Sequence, residues 1–209
     1  MSVSIPLSAI SSSELDEETA RADVYGLLAR LLYAPADAEL LLKLRMAQTE
    51  APAAGGILED AWRHLVEMAR TLDDELLRNE YEALFGGMGK PEVYLFGSHY
   101  LTGFLNEKPL VKLRSDLAAL GLARDEQMPE TEDHIAYLFE VMRYLIAGED
   151  ASVANLASQR TFFQDHIQPW VNDMCDAISA HPRARFYAAV GEFTRSFTSV
   201  ESQGFDMLG

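Results

Sequence analysis

Residues 128–145, MPETEDHIAYLFEVMRYL, set Asp133 beside His134 at the head of an apolar helical pattern. A carboxylate next to an imidazole suggests acid–base catalysis, and the same groups can ligate a metal. The spacing favours neither. Neighbouring residues on a helix diverge by about 100°, so Asp133 is badly placed to orient His134 as a catalytic triad requires. On the same wheel Ile135, Leu138, Phe139, Met142, Leu145 and Ile146 share one face. Asp133 then points nearly opposite that stripe and His134 sits at its edge. No Gly-x-Ser-x-Gly elbow accompanies the pair. His64, His99, His134, His166 and His181 are scattered, with no His-x-x-x-His pair. No zinc site and no catalytic residue is therefore expected. GGMGKP (86–91) resembles a phosphate loop only superficially. Leu84 occupies the place of the first glycine in G-x-x-x-x-G-K, and Pro91 stands where Ser or Thr would hold magnesium. It reads as a glycine-rich turn, and no cofactor is expected.

The elements that must carry these residues are helical almost throughout. Apolar residues recur at helical spacing, and no period-2 strand alternation appears. Helices are expected over 14–33, 37–47, 57–72, 74–85, 98–106, 108–120, 131–147, 150–166, 169–180 and 182–199, with Gly121 as a stop signal. QTEAPAAGG (48–56) reads as a linker. The expected fold is all-α, a single helical domain of about ten helices. Its N-terminal part (14–121) and C-terminal part (131–200) are joined by an acidic hinge at 122–130 and share a core. Residues 1–13 and 201–209 are expected to be flexible ends.

Composition narrows the function. With 33 acids against 17 bases the formal net charge is −16, the reverse of a phosphate-binding footprint, so nucleic acid is not an expected partner. No apolar run approaches the roughly 18 residues that span a bilayer, and Arg21 is the first basic residue, so no secretory or transit signal is expected. The lone Cys175 lies at helical spacing with Val171, Met174 and Ile178, as a core residue would, and fits a reducing cytoplasm. No stable membrane association is expected. What remains is a set of aromatics interleaved with acids. Residues 73–87 carry Asp73, Asp74, Glu75, Glu80 and Glu82 among Tyr81, Leu84 and Phe85, and VYLFGSHY (93–100) surrounds a Gly-Ser step with aromatic rings. Core packing accounts for such residues singly; together they suit a groove with an apolar floor and an acidic rim. Its complement is a peptide with a basic end and an apolar stretch.

Five stretches, in order, resemble the cytoplasmic chaperones that mature molybdenum-containing redox enzymes, the TorD/DmsD-type redox-enzyme maturation proteins. They are YEALFGG (81–87), FGSHY (96–100), ETEDHI (130–135), DHIQPW (165–170) and HPRARFYAAVGEFTR (181–195). Thr131 stands where the third motif usually has proline, and Leu95 replaces a proline often found before the second. The resemblance implies an all-α fold and no catalytic turnover. It also implies recognition of the twin-arginine leader or the immature catalytic subunit of a molybdoenzyme, held for cofactor insertion before export. Its implied leader-binding residues are Tyr81, Leu84 and Phe85 as an apolar wall, with Phe96, Ser98 and Tyr100 beside it. Asp133 would attract the leader's arginines, His134 would complete the polar part, and Glu130, Thr131 and Glu132 would form the hinge. The alternatives are a chaperone for a non-exported subunit of the nitrate-reductase type, a generic helical adaptor, and a small enzyme using His134. Monomer and homodimer are both compatible with the sequence, and no motif supports contact with guanine nucleotide or molybdenum cofactor.

Overall fold

A computed structural model describes residues 12–49, 56–86, 90–105, 108–125 and 127–207. Among the described residues the chain forms ten helices and no strand: α1 (Ser12–Tyr33), α2 (Ala38–Met46), α3 (Gly56–Thr71), α4 (Asp74–Leu84), α5 (Gly97–Thr102), α6 (Lys108–Ala119), α7 (Ile135–Ala147), α8 (Leu156–His166), α9 (Val171–Ala180) and α10 (Phe186–Met207). Local chemistry sets the ends. Asp37, Asp73 and Asn155 accept the backbone N–H groups of Leu40, Leu76 and Ser158 at 2.8, 2.8 and 3.0 Å, capping α2, α4 and α8. Gly121, at φ 72°, ends the α6 region: Leu122 N–H reaches Leu117 O and Gly121 N–H reaches Ala118 O. That is the Schellman stop, which needs a left-handed residue.

One core holds these helices. α1 packs along α7, α3 and α9 pack on α10, and α8 packs on α7. The shared core expected of the two halves is present: Tyr25 and Leu28 of α1 lie in the same buried cluster as Phe139 of α7 and Phe197 of α10. Cys175 is buried there too, and burial pushes its thiol up to about 12. No helix of the described residues is long and apolar enough to cross a membrane.

Three expectations are corrected. α7 begins at Ile135, not near 131, because 131–134 form a turn ending in the cap residue His134. α8 begins at Leu156, because Asp150, Ser152 and Asn155 commit their side chains to a turn. The C-terminal segment expected to fray continues α10 to Met207, with Glu201 and Phe205 buried. Glu201 accepts from Arg21 (2.7 and 2.8 Å) and from the Tyr25 hydroxyl (3.0 Å), and Phe205 packs on Phe163. Of the N-terminal stretch 1–13 expected to be flexible, Ser12 and Ser13 belong to α1 and residues 1–11 lie outside the described residues, as do most of the 48–56 linker, residues 87–89 of the glycine-rich turn, 106–107, Glu126 in the connector and 208–209.

Candidate functional site

Three of the motif stretches meet at a short antiparallel tie. Ile135 N–H donates to Leu95 O at 2.9 Å and Gly97 N–H donates to Asp133 O at 3.0 Å, pairing Phe96 with His134. Val93 N–H also donates to Leu84 O at 2.9 Å, which fastens the same segment to the end of α4. The connector entering α7 and the loop entering α5 are thus held together by backbone bonds.

Asp133 lies inside this tie. Its carboxylate is 3% exposed, accepting Ser98 N–H at Oδ2 (2.8 Å) and the Thr131 hydroxyl at Oδ1 (2.6 Å). The expectation that Asp133 points into solvent to attract arginines is therefore overturned. A helical wheel does not apply to a residue in the turn before the helix, and this carboxylate organises backbone instead. Thr131, where proline is usual in the motif, supplies a hydroxyl that proline lacks.

His134 is also buried, at 4% exposure, so it cannot meet a leader as a surface polar group. Its Nδ1 accepts Ala136 N–H at 3.2 Å, capping α7. Burial pushes its pKa down to about 4, against the opposing pull of the neighbouring Asp133 charge. A protonated Nδ1 would lose the cap and set a cation at the positive end of a helix. The ring lies edge-on to Phe96 at 5.0 Å and near Tyr137 at 5.7 Å. Asp133 and His134 turn to different partners, so they form no catalytic dyad.

The expected hinge is anchored. Glu132 takes a two-pronged bond from Arg114 of α6, both at 2.9 Å. Burial raises the Glu132 pKa, but Arg114 more than offsets this and holds the carboxyl below its usual range. Glu130 and Thr131 are half-buried beside it.

The expected apolar wall is only partly a surface. Leu84 is fully buried and Tyr81 nearly so, with the Tyr81 hydroxyl donating to Tyr33 O at 2.7 Å. Both are core supports rather than contacts for a ligand. Phe85 remains half-buried, packed edge-on against Tyr81 (5.1 Å) and Tyr187 (5.2 Å). Behind them the buried Glu80 carboxylate accepts the N–H groups of Arg185 (2.8 Å), Phe186 (3.3 Å) and Tyr187 (2.7 Å), capping α10 from another helix. Ser98 is fully buried, Phe96 half-buried. Tyr100, also half-buried, stacks on Trp170 at 5.6 Å and donates its hydroxyl to Tyr94 O at 2.8 Å.

On the far side of the tie a cavity of about 260 Å³ collects Gly97, Ser98, Asp133, Leu138, His166 and Trp170. Three motif stretches, separated by up to 73 residues of chain (97 to 170), thus line one space. His166 and Trp170 belong to the DHIQPW stretch but escaped the sequence-based selection of site residues. Trp170 donates its indole N–H to His166 O at 2.6 Å and presses on Gly97, where a Cβ would lie 2.9 Å from the indole nitrogen. A glycine amid aromatics is the signal that was available for such a close approach. Among the described residues Asp116, Asp165 and His166 have potential metal-ligating atoms within 4.8 Å of one another. Lys112 Nζ already donates to both carboxylates, so the chain itself fills a cationic position there.

Residues 53–176 match the family model described as nitrate reductase delta subunit. The chaperone protein TorD of Vibrio cholerae serotype O1 strain O395 is 22% identical over 204 residues, covering 90% of this chain and 93% of that protein. The TorD of the El Tor Inaba strain N16961 is 24% identical over the same shares. That of Photobacterium profundum is 24% identical over 153 residues, 68% of this chain and 71% of the relative. The family match runs through the tie, the cavity and Trp170. The chain belongs to the nitrate reductase delta subunit family, the TorD-type redox-enzyme maturation proteins.

Proposed function

We propose that this maturation chaperone, which is not an enzyme, binds the twin-arginine leader of a molybdoenzyme catalytic subunit in the cytoplasm. It would hold the immature subunit for cofactor insertion and folding before export. The observation that carries the reading is the convergence of FGSHY, EDHI and DHIQPW residues on one cavity. Buried Asp133 lines that cavity and His134 caps the helix that follows it, while Phe85, Phe96 and Tyr100 are half-buried. An apolar stretch of a leader gains by covering such rings, and the net charge of −16 attracts its basic start. Affinity purification of the tagged chain from its native host under molybdoenzyme-inducing conditions, with mass spectrometry, tests this. A molybdoenzyme catalytic subunit that still carries its leader is the expected co-eluting protein.

A second reading is favoured by the family model itself, whose description is that of a nitrate reductase subunit. In it the client is not exported and the chaperone grips the subunit proper. Co-elution of a catalytic subunit that has no leader would select this reading. Recovery of no redox subunit would contradict both.

A further inference from the structure

Because Asp133 is buried and already engaged, the basic end of a leader needs its counter-charge elsewhere. A second cavity, of about 340 Å³, lies between α6 and α8, with Ala119, Leu120, Ala157 and Phe162 among its walls. It shares Asp165 and His166 with the 260 Å³ cavity, so the two meet at these residues. At the meeting point Lys112 Nζ lies 2.7 Å from Asp116 Oδ2 and 2.8 Å from Asp165 Oδ2, and His166 Nε2 lies 2.8 Å from Asp116 Oδ2. Burial lowers the pKa of His166 despite Asp116, keeping the imidazole neutral near pH 7. Two carboxylates against one ammonium leave one negative charge over, between two largely apolar hollows.

We propose that this α6–α8 groove binds a client segment in which a basic residue is flanked by apolar ones, its guanidinium replacing the Lys112 ammonium between Asp116 and Asp165. Lys112 is then a built-in competitor for the position. The assignment rests on the leader-binding reading and adds the place where the leader's cation is held. The Lys112 side chain is 56% exposed and is free to swing outward, while Asp116 and Asp165 are 38% and 43% exposed. Exposed ion pairs of this kind contribute little, so exchanging one cation for another costs little. A guanidinium fork spans two carboxylates, whereas an ammonium acts as a point charge. The hollows on either side accept the apolar flanks, and the adjoining α5–α6 region exposes Phe104 and Val111. An acidic segment is rejected by the same surplus of charge.

Fluorescence anisotropy with the full chain tests the assignment. The probe is a labelled synthetic peptide with two adjacent arginines followed by a leucine–alanine run. Lys112→Gln should tighten binding about five-fold, and the Asp116→Asn/Asp165→Asn double variant should weaken it about ten-fold or more. A peptide with citrulline in place of both arginines should be indifferent to either change. Circular dichroism and urea midpoints check the fold of each variant, and a gain of affinity in Lys112→Gln is not mimicked by misfolding. If the unaltered chain binds the peptide and neither variant changes the affinity, the groove assignment is overturned and leader binding stands. If the unaltered chain does not bind it, the leader reading falls and the groove assignment with it.

Discussion

Replacing Asp133 by alanine removes the acceptor for a buried Ser98 N–H and for the Thr131 hydroxyl at once. Bonds to a charged acceptor contribute about 1.5–3 kcal/mol, and an orphaned buried donor costs a comparable amount. Asp133→Ala should therefore lower unfolding stability by about 2–3 kcal/mol in urea, and Asp133→Asn, which keeps one acceptor, by about 1 kcal/mol. An unchanged midpoint for the alanine variant would contradict the structural role. His134 gives a pH signature of definite sign. Its folded pKa is about 4, below the ordinary 6.5, so between those values the unfolded chain binds more protons. Its contribution is complete above about pH 6.5 and is lost as pH falls toward 4. From pH 7.5 to pH 5 the loss should be about 2 kcal/mol. His134→Asn, which puts a capping oxygen in place of Nδ1, should flatten that slope, leaving the smaller same-sign dependences of His99 and His166. At this scale the sequence marked Asp133 and His134 as notable but misjudged their setting. Burial depends on what α5 and the Leu95–Gly97 segment bring over them, which helical spacing around 133 does not encode.

At the scale of elements, the start of α10 is set from outside its own helix. Glu80 of α4 receives three N–H groups from the first turn of α10, and Tyr187 in that turn packs against Tyr81 and Phe85. Glu80→Ala leaves those donors without their carboxylate in a mostly buried place and should cost about 3 kcal/mol. The same change should loosen the Phe85 surface, visible as faster hydrogen exchange at the start of α10. Gly97→Ala places a methyl against the Trp170 indole and should destabilise by about 1–3 kcal/mol through overpacking. A melting temperature equal to that of the unaltered chain would refute the close approach. The stop at Gly121 was legible, and the helices expected from 37 and 74 are present, their starts capped by Asp37 and Asp73. The end of α10 was not, because its last turns are held by Arg21 and Phe163, partners distant in sequence. The start of α8 was misread for the opposite reason, since its preceding polar residues satisfy their own turn.

Over the whole molecule, all-helical composition, charge and the ordered motifs were readable, and the family follows from them. What spacing withheld was which motif residues end up together. Gly97, Asp133 and Trp170 line one cavity only because α5, the turn before α7 and the start of α9 converge. A surface that presents half-buried rings and scattered acids should bind mainly by covering the rings, with each exposed charge pair adding at most about 1 kcal/mol. In the function proposed above, the chaperone holds its client by the leader. Titration calorimetry of the chain with the leader peptide of the co-purified catalytic subunit, and with that subunit lacking the leader, tests it most directly. The leader peptide alone should bind, and removing the leader should weaken binding of the subunit about ten-fold or more. Equal affinity for the leaderless subunit, with no binding of the peptide, would contradict it.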